Sequence, residues 1–273
     1  MLQDRSRATR DDGPEHSPVA QAQGASGTGP VISRALQILD AFSAQSPHLS
    51  LSELARKAQL PVSTVHRMLG ELLTWGALER DDQGRYRIGL RLWELGSLAP
   101  RGQGLRERAL PYLEDLSLVT RENVQLAVRE GTEAVFIERI GGSCAVPTLT
   151  RVGGRLAITA TGAGLALLAH APAAVQNDVL ERPIIRNTPY TITDANRLRG
   201  VLAQVRARGY AVSDRQLSLD TLSVAAPVRS PQGEVVAAVS LVVHCSSATP
   251  AALADLVLSS ARAINRALHM PVS

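Results

Sequence analysis

The chain has 273 residues, 45% apolar and only 3% aromatic, so it has room for one or two globular domains with cores of Ala, Leu, Val and Ile. No run is long and apolar enough for a membrane-spanning helix, and the mixed-charge N-terminus MLQDRSRATRDDGPEH has no apolar segment behind it, which argues against a secretory leader. The net charge of +4 is too small to indicate a nucleic-acid partner by itself, and the fact that Lys57 is the sole lysine among 29 basic residues reads as GC-rich codon usage.

Cys144 and Cys245 lie far apart and make no disulfide framework; they read as thiols of a reducing cytoplasm. Residues 1–30 are polar and aperiodic and read as a disordered tail. In VISRALQILDAF, apolar residues recur at helical spacing from Val31 to Phe42, and the helix is expected to end near Ser43–Pro47. Ser50 and Glu53 have the spacing of a capping box for a short helix over Leu51–Ala58. Gln59-Leu60 is a tight turn. Pro61 suits the first turn of a third helix, from Val62 to about Thr74, with an apolar stripe of Val65, Met68, Leu69, Leu72 and Leu73. A hairpin follows, Leu78–Arg80 and Arg85–Ile88, turning at Asp82-Gln83-Gly84. A helix over Leu90–Leu98 is broken by Pro100–Gly104, where the domain boundary is placed.

Beyond it the pattern mixes helices and strands. Helices are expected over Leu105–Thr120, from near Thr161, and over Ala173–Leu180, Asp194–Arg208 and Ala251–Leu268. Strands are expected at Asn123–Arg129, Ala134–Ile140, Ala211–Ser213, Ser223–Arg229 and Glu234–Val243. Residues 141–154 read as a loop. The expected fold is α+β: residues 31–89 a winged helix-turn-helix, 90–104 a linker helix, and 105–273 an α/β effector domain on an antiparallel sheet.

Helix, helix, tight turn, helix, hairpin is the order of a winged helix-turn-helix, whose third helix enters the major groove N-terminus first. Its leading residues here include Ser63, Thr64, His66 and Arg67. With Val65, Met68 and Leu69 facing the core, Ser63, Thr64, Arg67 and Glu71 face outward, and His66 lies between the two faces. Ser and Thr bond phosphates or bases, and Arg67 suits a guanine edge. Arg80, Arg85 and Arg87 on the hairpin suit phosphates or a minor groove, with Arg34 and Arg56 as further backbone contacts.

Other classes find less support. No G-x-S-x-G, Walker A, G-x-G-x-x-G or H-E-x-x-H motif occurs. A Ser240–His244–Asp214 triad fails, because four strand residues separate Ser240 and His244 by about 13 Å. The histidines at 16, 48, 66, 170, 244 and 269 have no ligand spacing, so neither a metal nor a cofactor is expected. A ligand-free DNA-binding protein stays open, although compaction alone does not need an α/β half of this size.

Six stretches in order resemble the IclR family of bacterial transcriptional regulators. In the first half they are ISRALQILDAF, LSLSELARKAQLPVSTVHRMLGELLTWGALERD and GRYRIGLRLWELG. In the second they are GGRLAITATGAGLALLA, TPYTITDANRLRGVLAQVRARGYAVSD and SVAAPVRSPQGEVVAAVSL. The resemblance covers about residues 31–270. It implies a GAF-like effector domain, small organic acids as ligands, a palindromic double-stranded DNA operator, and a homodimer or pair of dimers in the cytoplasm. Repression is the commoner mode in such proteins and activation the alternative.

The resemblance also nominates ligand contacts. Thr161 and Gly162 stand at a helix start that offers N–H groups to an anion. Ser213 and Asp214 follow the GYA segment. Ser223 stands where a Cys is common, and Ser240 and Val242 stand where Ser-x-Ser is common. Val242 in place of a hydroxyl implies a less polar pocket and an aromatic acid or neutral relative, with a short aliphatic acid as the alternative. Arg139, Arg155 and Cys144 read as solvated or inert groups, and Trp93 as packing in the linker helix.

Overall fold

The computed structural model describes residues 30–99 and 103–270. The tail up to residue 29 and the break at 100–102 lie outside the described residues. Two compact units result, one ending at Gly96 and one beginning at Ser97.

In the first unit α1 spans Val31–Asp40, α2 Leu51–Ala58 and α3 Val62–Trp75; β1 (Leu78–Arg80) and β2 (Tyr86–Ile88) form a hairpin, and α4 covers Leu90–Gly96. The capping box at Ser50 closes in both directions: the Glu53 N–H donates to Ser50 Oγ at 3.3 Å, and the Ser50 N–H donates to Glu53 Oε2 at 2.8 Å. Gln59 ends α2 in the left-handed region (φ 56°), so the chain turns sharply into α3. Pro61 sits one residue earlier than expected, at the N-cap of α3 with extended ψ. Ile38, Leu54, Val65, Leu69 and Leu78 are fully buried and join the three helices to the hairpin. Leu49 pairs with Tyr86 across the hairpin's open edge, donating and accepting backbone hydrogen bonds at 2.9 and 2.7 Å. α1 ends at Asp40, earlier than its apolar periodicity suggests, because Ser43 and Ser46 close a turn of their own.

The second unit is a six-stranded antiparallel sheet. Its elements are α5 (Gln103–Thr120), β3 (Asn123–Glu130), β4 (Glu133–Ile140), β5 (Arg155–Ala157), α6 (Gly162–Ala169), α7 (Ala173–Glu181), α8 (Ala195–Arg208), β6 (Ala211–Asp214), β7 (Thr221–Arg229), β8 (Val235–His244) and α9 (Pro250–His269). The strand order is β5-β4-β3-β8-β7-β6. Alternation along β7 and β8 sends Leu222, Val224, Val228, Val239, Leu241 and Val243 to one face, against α5 and α9. Ala225 and Ala238 face the other way, against α6 and α8. These small residues let α6 approach closely, and all eight of its residues are buried. Gly164 is required there, since a Cβ would collide with the Ile158 carbonyl oxygen.

Two expectations need correction. β5 is an edge strand just after the expected loop, where no strand is expected from the sequence; at three residues it is too short for alternation to register. α5 begins at Gln103, inside the segment read as the helix breaker.

Candidate DNA-reading helix and effector cavity

Val65, Met68 and Leu69 turn inward on α3, so the helix presents Ser63, His66, Arg67 and Glu71 to solvent, with Thr64 half-buried. His66 belongs with the exposed face and not between the two. Pro61 supplies no side-chain cap, and among the described residues the N–H groups of Val62, Ser63 and Thr64 have no acceptor. An uncapped helix start of this kind suits a phosphate. Arg67, Ser63 and His66 likewise have no side-chain partner among the described residues and are available to an incoming ligand.

The hairpin arginines differ. Arg87 donates twice to Glu79 Oε2, at 2.8 and 3.0 Å. The Leu90 N–H, and then Arg87, hold the Glu79 carboxyl below its ordinary value. Arg85 pairs with Asp81 at 3.4 Å, and His48 approaches the same carboxylate at 3.0 Å. Backbone N–H donation from Arg85 is the leading cause that lowers Asp81. Arg80 donates to the Gly84 carbonyl at 3.1 Å and lies over the Tyr86 ring. Arg34 is half-buried with an enclosed, unbonded Nε, so it is not a free surface cation; Arg56 is exposed. Thus the groups expected to read DNA fall into an unengaged set on α3 and an engaged set on the hairpin. Trp93, expected to pack, is 67% exposed.

In the second unit a cavity, about 430 Å³ with the solvent at its open mouth included, lies where α6 begins. Thr161, Ser213, Ser223 and Val242 all form part of its wall, as does Ala163. Thr161 caps α6, accepting from the Gly164 N–H at 3.0 Å. The N–H groups of Gly162 and Ala163 have no acceptor among the described residues. Ser213 donates to the Ala160 carbonyl at 2.7 Å, which ties β6 to the α6 start.

Three nominated residues lie off the wall. Asp214 is exposed and pairs with Arg215 at 3.0 Å, because β6 alternation turns it away from Ser213. Ser240 is fully buried behind the wall and donates to Gln125 Oε1 at 3.4 Å. Gly162 acts by its lack of a side chain: a Cβ there would stand 2.5 Å from Ser223 Oγ.

Polar groups beyond the nominated ones also line the wall. Val242 is apolar as anticipated, but Gln125, Thr148, Thr150, Ser218 and Thr221 restore polarity from other elements. Gln125 donates from Nε2 to Thr150 Oγ1, whose hydroxyl lies 2.9 Å from that of Thr148. A chain of neutral groups therefore runs from Ser240 through Gln125 to the loop after β4. Asn123 holds that loop by donating to the Val146 carbonyl at 2.8 Å. Among the described residues the wall contains no charged side chain. Arg139 donates to Asn123 and Arg155 pairs with Glu133, both away from the cavity, and Cys144 is exposed. Gln125 had a signal in the sequence, an amide between Val124 and Leu126 inside a mostly apolar strand. Thr148 and Thr150 had none, since nothing local distinguishes them from ordinary loop threonines.

Among the described residues no helix is long and apolar enough to cross a membrane, and no group of His, Cys, Asp and Glu is placed to hold a metal.

Comparison with known proteins matches both units. Residues 31–82 match the IclR helix-turn-helix domain, and residues 99–266 match the bacterial transcriptional regulator IclR C-terminal domain. The chain is 33% identical over 245 residues to the HTH-type transcriptional regulator XynR of Escherichia coli strain K12, covering 88% of this chain and 97% of that protein. It is 35% identical over 239 residues to BhcR of Paracoccus denitrificans, covering 86% and 85%. Among solved structures, an IclR homolog complexed with 4-hydroxybenzoate from Microbacterium hydrocarbonoxydans superposes with a TM-score of 0.84 at 36% identity, covering 88% of this chain and 99% of that one. With one unit matching the family's helix-turn-helix domain and the other its C-terminal domain, the chain belongs to the IclR family of bacterial transcriptional regulators.

Proposed function

We propose that this regulator is a repressor released from its operator by an aromatic acid such as a hydroxybenzoate. The observation that carries the effector class is the cavity wall. It combines apolar Leu149, Leu217 and Val242 with neutral hydroxyls at the start of α6. A flat ring fills the apolar part, and a carboxylate takes the free N–H groups of Gly162 and Ala163 in place of a buried cation. The solved relative holding 4-hydroxybenzoate supports the same class. Glyoxylate would leave most of the apolar wall uncovered. Calorimetry on the full chain with 4-hydroxybenzoate, benzoate and glyoxylate tests this. The expected order puts both aromatic acids at least about tenfold tighter than glyoxylate, roughly 1.4 kcal/mol; glyoxylate binding tightest would overturn it.

In this reading a cytoplasmic homodimer, or a pair of dimers, places two α3 helices on a palindromic operator. Ser63, Thr64, His66 and Arg67 reach bases or nearby phosphates, while Arg80, Arg85 and Arg87 serve the backbone. Residues 90–104 serve as the linker, and 105–273 as the effector domain. The effector shifts the spacing of the reading helices by as much as its affinity differs between two arrangements, typically about 1–3 kcal/mol. Incubation with sheared DNA of the source genome at about physiological salt should enrich a short palindrome that the effector then releases. Retention unaffected by any aromatic acid would overturn the release mechanism.

A further inference from the structure

The second unit has another concavity, separate from the effector cavity, of about 1180 Å³ including its open mouth. Arg129 from the end of β3, Arg206 from α8 and Arg229 from the end of β7 meet in it, beside His170 at the end of α6. It lies at the opposite end of α6 from Thr161, a helix about 12 Å long.

The three arginines are held but not neutralised. Arg129 donates to the Gly131 carbonyl at 3.1 Å, Arg206 to Ala169 at 3.0 Å and Arg229 to Gly233 at 2.9 Å. Each guanidinium spends one N–H on a backbone carbonyl and keeps others. None of the three lies within ion-pair distance of a carboxylate among the described residues. Glu234 lines the same concavity, exposed and without an ion-pair partner among the described residues, so three cations face one anion. The His170 imidazole is turned by its Nδ1, 3.0 Å from the Ala166 carbonyl. Burial, and then the Arg229 and Arg206 charges, push it below its ordinary value against that carbonyl's pull.

We propose that this groove is a second small-molecule site of the sensor domain and binds a phosphoryl group, as in a phosphate monoester or pyrophosphate. Three forks arriving from three separate elements match a tetrahedral group with oxygens in several directions. A carboxylate has two oxygens in one plane and engages one fork well. The site does not depend on which effector occupies the cavity at the other end of α6.

The test is calorimetry on the full chain at constant ionic strength, with pyrophosphate, inorganic phosphate and citrate as probes. Saturable binding of one pyrophosphate per chain is expected, tighter than citrate. Replacing Arg206 and Arg229 together by Gln should weaken it at least about tenfold, since each lost pair is a charge-assisted hydrogen bond. Arg197→Gln, an exposed α8 arginine outside the groove, should leave it unchanged. If the double variant does not fold, Arg129→Gln alone should still weaken pyrophosphate by several-fold. The proposal is overturned by no saturable binding, by tighter binding of citrate, by equal losses in Arg197→Gln, or by loss on Arg67→Ala, which would place the anion on α3.

Discussion

The starts of α3 and α6 can be set side by side. Among the described residues both leave backbone N–H groups without acceptors, so both offer partial positive charge to an anion. The surroundings differ. α3 begins in solvent, with no side-chain cap and with unengaged Ser63, His66 and Arg67 nearby. α6 begins inside the domain, is capped by Thr161, and has only neutral side chains on its cavity wall. Burial explains the contrast. A full charge without a partner is tolerated in water and costly in the interior, where hydroxyls and amides serve instead. A helix start facing a polyanion can recruit arginine; one enclosing a small acid works with dipoles.

The strongest way to break this comparison is Gly162→Val. The new Cβ would stand 2.5 Å from Ser223 Oγ and 3.1 Å from the Ser223 carbonyl oxygen, so β7 and α6 must separate. Overpacking of this sort typically costs about 1–3 kcal/mol of stability. Effector binding should fall by two orders of magnitude or more, about 2.7 kcal/mol. DNA binding without effector should stay near wild type, because α3 lies in the other unit. Intact effector binding would show that the α6 start is not where the acid sits.

Arg67→Ala comes next. It should weaken operator binding by about 1–3 kcal/mol and relax one base position. Equal losses on specific and random DNA would make Arg67 a phosphate contact. An unchanged affinity would remove α3 as the reading helix.

These two residues also show what was legible in the sequence. Arg67 follows from periodicity, because a stripe of Val65, Met68 and Leu69 leaves little choice for its neighbours. Nearly every element of the second unit follows from alternation and turn residues in the same way. The wall of the cavity does not. Thr161, Ser213 and Ser223 come from resemblance, and Thr148 and Thr150 come from a loop with no period. Their meeting depends on sheet order, which places β3 beside β8 and brings Gln125 against Ser240. The states of Arg85 and Arg87 were equally hidden. Alternation puts arginines on a hairpin face, but cross-strand register decides that Arg87 stands opposite Glu79.

Thr161→Ala is expected to be milder. Losing an N-cap hydroxyl costs about 1 kcal/mol, readable as a shifted urea midpoint. Effector affinity should change little if the acid is held mainly by backbone N–H groups. A loss as large as that of Gly162→Val would make the hydroxyl itself the ligand contact.

The smallest effect tests the hairpin. Exposed ion pairs are weak, so a phosphate can compete with Glu79 for Arg87, and the pairing lowers the net gain without abolishing it. Glu79→Gln keeps an acceptor for the Leu90 N–H but removes the charge that occupies Arg87. Binding to random DNA should strengthen by about twofold, and the salt dependence should steepen by up to roughly one released counterion. Arg87→Ala in the otherwise native chain should then flatten the slope by clearly less than one. If it flattens the slope by a full unit and Glu79→Gln does nothing, the phosphate displaces the carboxylate completely. The hairpin arginines would then be as available as Arg67, and the distinction between an engaged wing and an open helix start would vanish on the DNA.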